Sequence, residues 1–338
     1  GFMWQPGDRD TIEFSFVEKP KIEILGNSEE LYHLKFIDND TNVTRFESTI
    51  TPNHWSACNF NYFINWRNEV YLNDKLVASH NFDPTGKRVK VKLDSKAIGD
   101  TIAWFPYIEE FRKKYDCDMY AGTFHNYLFK ENYPEIHFID PDQSVENLYA
   151  SYNVGARDND YESNKNNWRV VPLQQVSSDY LGLEYKEIRP KIVVPNKKRP
   201  IDKKYVTITE HSTIQCKYWL YKNGWQDVVD YLISKGYIVV VVSKEKTNLK
   251  NVVKYINRPM EDTINTIRHS DFFIGISTGP TWLAWALEVP TVLISGYSAL
   301  WGEMKDCIRI GAAEGKCSGC FNDKDLFFDR GNWNWCPK

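Results

Sequence analysis

A carboxylate and a glycine stand side by side where the first half of the chain is expected to pass from strand to helix. Asp100 directly follows Gly99, after the predicted strand Val89–Leu93. At the carboxyl edge of a parallel sheet, where ligand clefts form, such a carboxylate can accept a proton from a hydroxyl. The same residue can instead cap the following helix or offset its dipole. These residues alone support the catalytic role and the capping role of Asp100 equally.

A second turn has the composition of an anion site. Ser277-Thr278-Gly279-Pro280 links the apolar strand Phe272–Ile276 to a helix and a further strand, so the segment is a βαβ unit. The first turn of such a helix presents free N–H groups that can bind phosphate. Gly279 permits close backbone approach, and Pro280 suits the first helical turn. Ser277 or Thr278 can cap the helix or donate to phosphate, and the turn alone favours capping.

Cysteines cluster near the end of the chain with the spacing Cys-x9-Cys-x2-Cys-x15-Cys. They are Cys307, Cys317, Cys320 and Cys336. Cys317 and Cys320 form a knuckle that can place two thiolates on one ion, and the outer pair can complete a tetrahedral S4 site for zinc, the default, or iron. Four protein ligands leave no open position for substrate, so the metal would be structural. The alternative is that some of these cysteines are free, with Cys307 the first candidate.

Composition bounds the remaining possibilities. A chain of 338 residues can form two or three domains, and a net charge of −3 gives no reason to expect nucleic acid as a partner. No run approaches twenty apolar residues, and the first residues lack the charged and apolar regions of a signal peptide. We therefore expect a cytoplasmic protein without a membrane span.

The pattern of apolar residues predicts four parts. Residues 1–86 are β-rich and predict an antiparallel sheet or barrel with a docking or assembly role. Residues 87–190 and 191–303 alternate strands and helices, which predicts two Rossmann-like halves joined by a proline-rich linker. Residues 304–338 form the cysteine finger. Two α/β halves make a cleft suited to a transferase, and the polar, irregular stretch 153–185 could form one wall of its acceptor site.

Three short motifs occur in order along the two halves. They are Lys96, Gly99, Asp100 and Pro106; Lys217 and Trp219; and Ser277–Pro280 followed by Leu283-Ala284 and Pro290-Thr291. Together they resemble the heptosyltransferase family over roughly residues 87–300. The resemblance implies the GT-B fold, in which two Rossmann-like domains face a cleft, and the transfer of heptose from ADP-heptose.

The resemblance also implies roles for individual residues. Asp100 becomes the general base for an acceptor hydroxyl, which is a poor nucleophile at neutral pH. Lys217, otherwise most simply a solvated loop lysine, becomes the cation that stabilises the leaving diphosphate. Thr278 and Gly279 match the loop at the diphosphate. Ser212 and Thr213, in the loop of Lys217, are weaker phosphate candidates.

The β-rich N-terminal part and the cysteine cluster are similar to the bacterial autotransporter heptosyltransferases. This resemblance implies that serines of an autotransporter adhesin are modified in the cytoplasm before export. It also implies a cysteine-bound iron rather than zinc, and assembly into a dodecamer.

The chain departs from the family pattern near the donor sugar, with Ser277 where many members have Asp and Trp282 where they have His. One alternative is therefore a glycosyltransferase of the same fold with another nucleotide sugar or a lipid-linked acceptor. A second alternative is a non-catalytic metal-finger assembly protein.

Overall fold

A computed structural model describes residues 2–4, 10–157, 160–326 and 336. The strands are β1 Phe2–Trp4, β2 Asp10–Val17, β3 Lys21–Gly26, β4 Tyr32–Asp38, β5 Val43–Ile50, β6 His54–Ala57, β7 Trp66–Leu72, β8 Lys75–Asn81, β9 Arg88–Leu93, β10 Asp118–Gly122, β11 Ile136–Ile139, β12 Leu148–Val154, β13 Tyr205–Thr209, β14 Ile238–Ser243, β15 Val253–Ile256, β16 Phe273–Ile276, β17 Thr291–Ile294 and β18 Ile308–Ile310. The α-helices are α1 Ile98–Trp104, α2 Pro106–Tyr115, α3 Leu173–Tyr180, α4 Gly224–Ser234, α5 Met260–Arg268 and α6 Gly279–Ala286.

The first half is built on a mixed sheet with the order β11-β10-β9-β12-β2-β3-β6, and β1 pairs with β2. Strands β9 to β12 are parallel, and β2 pairs parallel with β12. Strands β3 and β6 then continue the sheet in antiparallel pairs. The predicted boundary at residue 86 therefore runs through one sheet, because strands before it extend the sheet of the first α/β half.

The remaining strands of the β-rich N-terminal part form a separate antiparallel sheet, with the order β5-β4-β7-β8. The tight turn between β7 and β8 is made by Asn73 and Asp74, which both have positive φ. Two successive left-handed residues match the twist of a β-hairpin, and Asn and Asp tolerate that conformation. The predicted antiparallel sheet is thus present, but it contains only part of residues 1–86.

The second half has a fully parallel sheet with the order β15-β14-β13-β16-β17-β18. Strand β14 is buried over Val239–Val242, as expected for a strand covered on both faces. The predicted βαβ unit is present as β16, α6 and β17. Strand order reverses between β13 and β16, and a ligand cleft is expected beyond the carboxyl ends of the strands at such a point.

Two predicted elements differ from the structure. The single helix expected after β9 is divided into α1 and α2 at Pro106, which occupies the first turn of α2. The irregular stretch 153–185 contains the helix α3. Its polar side chains are buried because they bond to backbone carbonyls; Ser177 Oγ, for example, donates to Trp104 O at 2.9 Å.

Helices α1 and α6 pack against each other and join the two halves. The large core cluster includes Trp104 from the first half and Trp285 from the second, so apolar packing crosses between the halves. Among the residues that the structure describes, no helix is both long and apolar enough to cross a membrane.

Candidate active site

A cleft of about 380 Å³ lies between the two halves, where α1 meets the carboxyl ends of strands from the second sheet. The donor-site and base residues predicted from the sequence all line it: Asp100, Ser212, Thr213, Lys217, Ser277, Thr278, Gly279 and Pro280. Leu173, from the stretch predicted to wall the acceptor site, lines it as well. Residues distant in sequence are therefore brought to one site.

Asp100 lies in the first turn of α1 and is held by Ser95, whose Oγ donates to Asp100 Oδ2 at 2.7 Å. Burial raises the pKa of Asp100 above 3.8, while the Ser95 bond and the charge of Lys217 act to lower it. The carboxyl group is thus desolvated and oriented, but it still reaches the cleft. A carboxylate in this position is suited to take a proton from a bound hydroxyl.

Lys217 ends a short 3-10 turn in the loop after β13 and enters the cleft opposite α1. Burial lowers the pKa of Lys217 below 10.5, and the charges of Asp100 and Glu303 act to raise it. Its Nζ lies 5.2 Å from the centre of the Tyr297 ring, within cation–π range. Lys217 is consequently a partly buried lysine that lines the cleft, not a lysine on a fully solvated loop.

The turn before α6 leaves a hydroxyl available. Thr278 is the N-cap residue of α6 with an extended backbone, yet its side chain makes no capping hydrogen bond. The next turn is closed instead by Thr281, whose N donates to Thr278 O at 3.1 Å and whose Oγ1 donates to Ile276 O at 2.5 Å. The Thr278 hydroxyl can therefore serve a ligand, although the turn alone had favoured capping.

A close approach of α1 and α6 sets the distance across the cleft. A Cβ added to Gly99 would lie 3.1 Å from Trp282 Cδ1 and 3.7 Å from Gly279 Cα. Trp282 is only 3% exposed and packs between the two helices. It also lines the cleft. Glycine at position 99 permits this close approach, and the contact places Asp100 beside the Thr278–Gly279 turn.

Some cleft residues were not predicted from the sequence. Lys244, Glu245, Asn257 and Arg258 follow the carboxyl ends of β14 and β15 and line the cleft. Their positions directly after parallel strands were a signal that sequence reasoning did not use. Tyr297 and Glu303, from the loop after β17, also line the cleft, and no motif pointed to them.

Cys216, which was not among the predicted metal ligands, interacts electrostatically with two of them, Cys320 and Cys336. Burial raises the pKa of Cys216 to about 11, and the thiols of Cys320 and Cys336 also raise it. Burial also raises the pKa of Cys320, and the thiols of Cys317 and Cys336 add to this increase. The backbone N of Cys336 donates a hydrogen bond to Gln215 Oε1 at 3.2 Å. The loop of Lys217 therefore contributes a cysteine to the neighbourhood of the predicted metal finger.

Cys307 lies elsewhere. Its Sγ donates to Met304 O at 3.4 Å, and the charged groups that act most on its pKa are Arg309 and Glu303. Within residues 2–4, 10–157, 160–326 and 336, no three His, Cys, Asp or Glu side chains converge closely enough to hold one metal ion. The thiols of Cys216, Cys317, Cys320 and Cys336 are still a donor set that suits iron or zinc, since both bind four thiolates.

The chain is similar to known sugar-transferring enzymes. Residues 163–326 match the family model described as glycosyltransferase family 9 (heptosyltransferase). The autotransporter heptosyltransferase BAHTCr of Citrobacter rodentium is 30% identical, over 97% of this chain and 83% of that protein. The inactive autotransporter heptosyltransferase BimC of Burkholderia thailandensis is 28% identical, over 82% of this chain and 69% of that protein.

Crystal structures of TibC from enterotoxigenic Escherichia coli share the fold over nearly the whole chain. The iron-containing dodecameric glycosyltransferase TibC matches with a TM-score of 0.90 at 27% identity, covering 100% of this chain and 92% of that one. TibC in complex with ADP-D-beta-D-heptose matches with a TM-score of 0.89 at 26% identity, covering 99% and 92%. The fold is therefore an α/β glycosyltransferase fold.

Proposed function

The chain belongs to the autotransporter heptosyltransferases of glycosyltransferase family 9, and from that premise we propose that it transfers heptose from ADP-heptose to serine hydroxyls of an autotransporter adhesin. The heptose donor is supported by the TibC complex with ADP-D-beta-D-heptose. The acceptor is supported by the shared name of the relatives. A GT-B arrangement and a cytoplasmic location belong to the same proposal.

The observation that carries this proposal is the placement of Asp100 and Lys217 in one cleft beside the Thr278–Gly279 turn. Each charged group acts on the pKa of the other. A base and a cation in one cleft suit a reaction in which a hydroxyl is deprotonated while a phosphate leaves.

The transfer step balances without a covalent enzyme intermediate. The serine oxygen forms a bond to the anomeric carbon while the bond from that carbon to the diphosphate oxygen breaks. Asp100 accepts the serine proton. Lys217, the Thr278 hydroxyl and the turn at Gly279 bind the negative charge that develops on ADP. Ser212, Thr213, Ser277 and Pro280 complete the donor side in this proposal.

A structural metal is also part of the proposal. The thiols of Cys317, Cys320 and Cys336 would hold iron, with zinc the second choice, and the contacts in the structure favour Cys216 over the predicted Cys307 as the fourth ligand. A metal bound by four thiolates staples the surrounding loops and leaves no position for substrate. TibC, which is iron-containing, supports this choice of metal.

Assembly into a large homo-oligomer is proposed from the dodecameric TibC. An apolar patch on this chain suits a second copy. Ile308 and Ile310 are exposed on one face of β18, which ends the parallel sheet, and Leu300 and Trp301 are exposed in the preceding loop. Exposed apolar patches of this kind are typical of protein–protein contact surfaces. Light scattering of the purified chain would measure the size of the assembly.

Calorimetry and acceptor mapping test the proposed function. ADP is expected to bind more tightly than UDP or GDP, and wild-type protein incubated with ADP-heptose and an adhesin fragment is expected to add heptose masses to serine-containing peptides. Preference for UDP would reject the donor. Donor binding without any transfer would make the chain an inactive member, as BimC is named.

A further inference from the structure

Glu303 is a buried carboxylate in the cleft that the proposed transfer step does not use. It lies in the loop between β17 and β18, is 6% exposed, and lines the same cleft as Asp100 and Lys217. Carboxylates are seldom buried this deeply unless they are paired. The partners of its two oxygens therefore indicate what the residue does.

Within the described part of the chain, the two Glu303 oxygens differ in their partners. Ser298 Oγ and Arg309 Nη1 each donate to Oε2 at 2.6 Å, so the carboxylate plane is held from behind. Glu303 Oε1 is buried and has no hydrogen-bond partner among the residues that the structure describes. A buried acceptor without a donor is costly to maintain, and such groups in native structures commonly mark a bound ligand or water.

Tyr297 presents a second buried polar atom without a partner in the same cleft. The side chain is only 4% exposed, yet its hydroxyl makes no hydrogen bond to any part of the chain that the structure describes. The ring is fixed by Phe321, with the ring centres 4.9 Å apart, and lies beneath the Lys217 ammonium. Burial raises the pKa of Tyr297 and the charge of Glu303 adds to this effect, and both side chains line the cleft.

The chemistry of the two atoms restricts the ligand. A carboxylate oxygen only accepts hydrogen bonds, whereas a phenol both donates and accepts. A diphosphate cannot donate to Glu303 and is repelled by its charge. An uncharged ring with several hydroxyls satisfies both atoms, because one hydroxyl donates to Glu303 while another accepts from Tyr297.

We propose that Glu303 and Tyr297 bind hydroxyl groups of the donor sugar and thereby decide which nucleotide sugar the cleft accepts. The inference rests on the proposed function and names the residues that recognise the sugar. Lys217 then holds the diphosphate at one side of Tyr297, and the sugar extends toward Glu303. Ser298 and Arg309 act as positioning residues that aim Oε1 at the sugar.

Titration calorimetry with ADP and with ADP-heptose tests this inference. Glu303→Gln keeps an oxygen for Ser298 and Arg309 and turns an amide donor toward the cleft, while Tyr297→Phe removes only the hydroxyl. Because hydrogen bonds to a charged group contribute strongly, the Kd for ADP-heptose should rise by about tenfold or more in Glu303→Gln. The Kd for ADP should change less than about twofold, since ADP lacks the sugar.

Ser295→Ala is the matched control. Ser295 Oγ lies 2.9 Å from Ser298 Oγ, so the change disturbs the network behind Glu303 without touching Oε1. This variant should keep the wild-type ratio of the two Kd values, and thermal melting of all variants reports whether they fold.

Each outcome decides the proposal. Equal weakening of ADP and ADP-heptose in Glu303→Gln would indicate a structural role and overturn it, and an unchanged Kd ratio would show that Oε1 is satisfied by water only. If wild-type protein favours a different ADP-sugar, the donor of the proposed function is wrong and the ratio is measured with that sugar. If wild-type protein binds no nucleotide sugar more tightly than the free nucleotide, both proposals fail.

Discussion

Asp100 and Lys217 enter one cleft from opposite halves of the molecule, and each shifts the pKa of the other. Burial raises the pKa of Asp100 and lowers that of Lys217, so desolvation favours the neutral form of both. Their opposite charges counter this effect, since each favours the ionised form of its partner. The opposite charges therefore favour a carboxylate and an ammonium in a partly buried site, where electrostatic effects on a transition state are larger than in bulk water.

The pH dependence of transfer follows from these two shifts. Asp100 must be ionised to accept a proton, and its raised pKa means that activity is lost on acidification at a higher pH than an ordinary value near 3.8 would give. Lys217 must be charged, and its lowered pKa moves the alkaline loss of activity below 10.5. We expect a bell-shaped profile of kcat against pH that is narrower than the profile of two groups with ordinary pKa values.

The variant Lys217→Arg tests whether deprotonation of Lys217 causes the alkaline limb of the profile of kcat against pH. Arginine stays charged throughout the range, so the alkaline limb should move to higher pH even if kcat is lower. The acid limb should remain in place because Asp100 is unchanged. An alkaline limb that keeps its position in Lys217→Arg would mean that another group is responsible for it.

Loss of the Lys217 charge should affect chemistry more than the fold. Lys217→Met retains much of the apolar stem and removes the ammonium, so kcat should fall by about 10²- to 10³-fold, as for other electrostatic groups at developing charge. The Kd for ADP should rise as well. Steady-state kinetics and calorimetry measure both, and a kcat within a few-fold of wild type would remove Lys217 from the mechanism.

The contact between α1 and α6 predicts an effect of a single methyl group. Gly99→Ala places a Cβ 3.1 Å from Trp282 Cδ1, and relieving that contact moves α1 away from α6. Overpacking of this kind costs about 1–3 kcal/mol of stability. Because small displacements of catalytic groups are expensive, kcat should fall by about tenfold or more.

Gly296→Ala is the control for that change. A Cβ at position 296 meets nothing closer than Ala312 Cβ at 4.0 Å, so stability and kcat should stay near wild type. Thermal melting and steady-state rates compare the two variants. If Gly99→Ala is as stable and as active as Gly296→Ala, the helix contact does not set the geometry of the cleft.

Metal analysis distinguishes the two possible fourth ligands. Cys216 lies among the thiols of Cys320 and Cys336, whereas Cys307 bonds to Met304 O. Cys216→Ser should therefore lower the iron or zinc content of purified protein, and Cys307→Ser should leave it near one ion per chain. The reverse result would restore the ligand set predicted from the spacing.

Much of the candidate donor site could be predicted from the sequence because its geometry depends on local rules. The apolar strand before Ser277 and the helix after it form a βαβ unit, and the geometry of that unit alone exposes Thr278 and Gly279 at the carboxyl edge of the sheet. Asp100 follows the same rule in the first half. Their placement in one cleft required only that the two halves face each other.

The unpredicted parts depend on contacts between distant residues. Glu303 is held in place because Ser298 and Arg309 donate hydrogen bonds to one of its oxygens. No spacing pattern in the sequence predicts that arrangement. Cys216 was separated from the later cysteines by about a hundred residues in the sequence, so spacing favoured Cys307. Helix α3 was missed because its polar side chains indicate a loop in the sequence, whereas the fold buries Gln174 and Ser177 by bonding them to backbone carbonyls of distant residues.

Transfer of heptose by Asp100→Asn protein tests the central claim most directly. Wild-type, Asp100→Asn and Asp94→Asn proteins are incubated with ADP-heptose and an adhesin fragment, and the added mass is followed with time. Asp94 directly follows β9, forms an ion pair with Arg157 at 3.1 Å and is not among the residues that line the cleft. Its variant is therefore the matched control. We predict that Asp100→Asn lowers the rate by about 10²- to 10⁴-fold with ADP binding retained, while Asp94→Asn transfers normally. Transfer at the wild-type rate by folded Asp100→Asn protein would contradict the account.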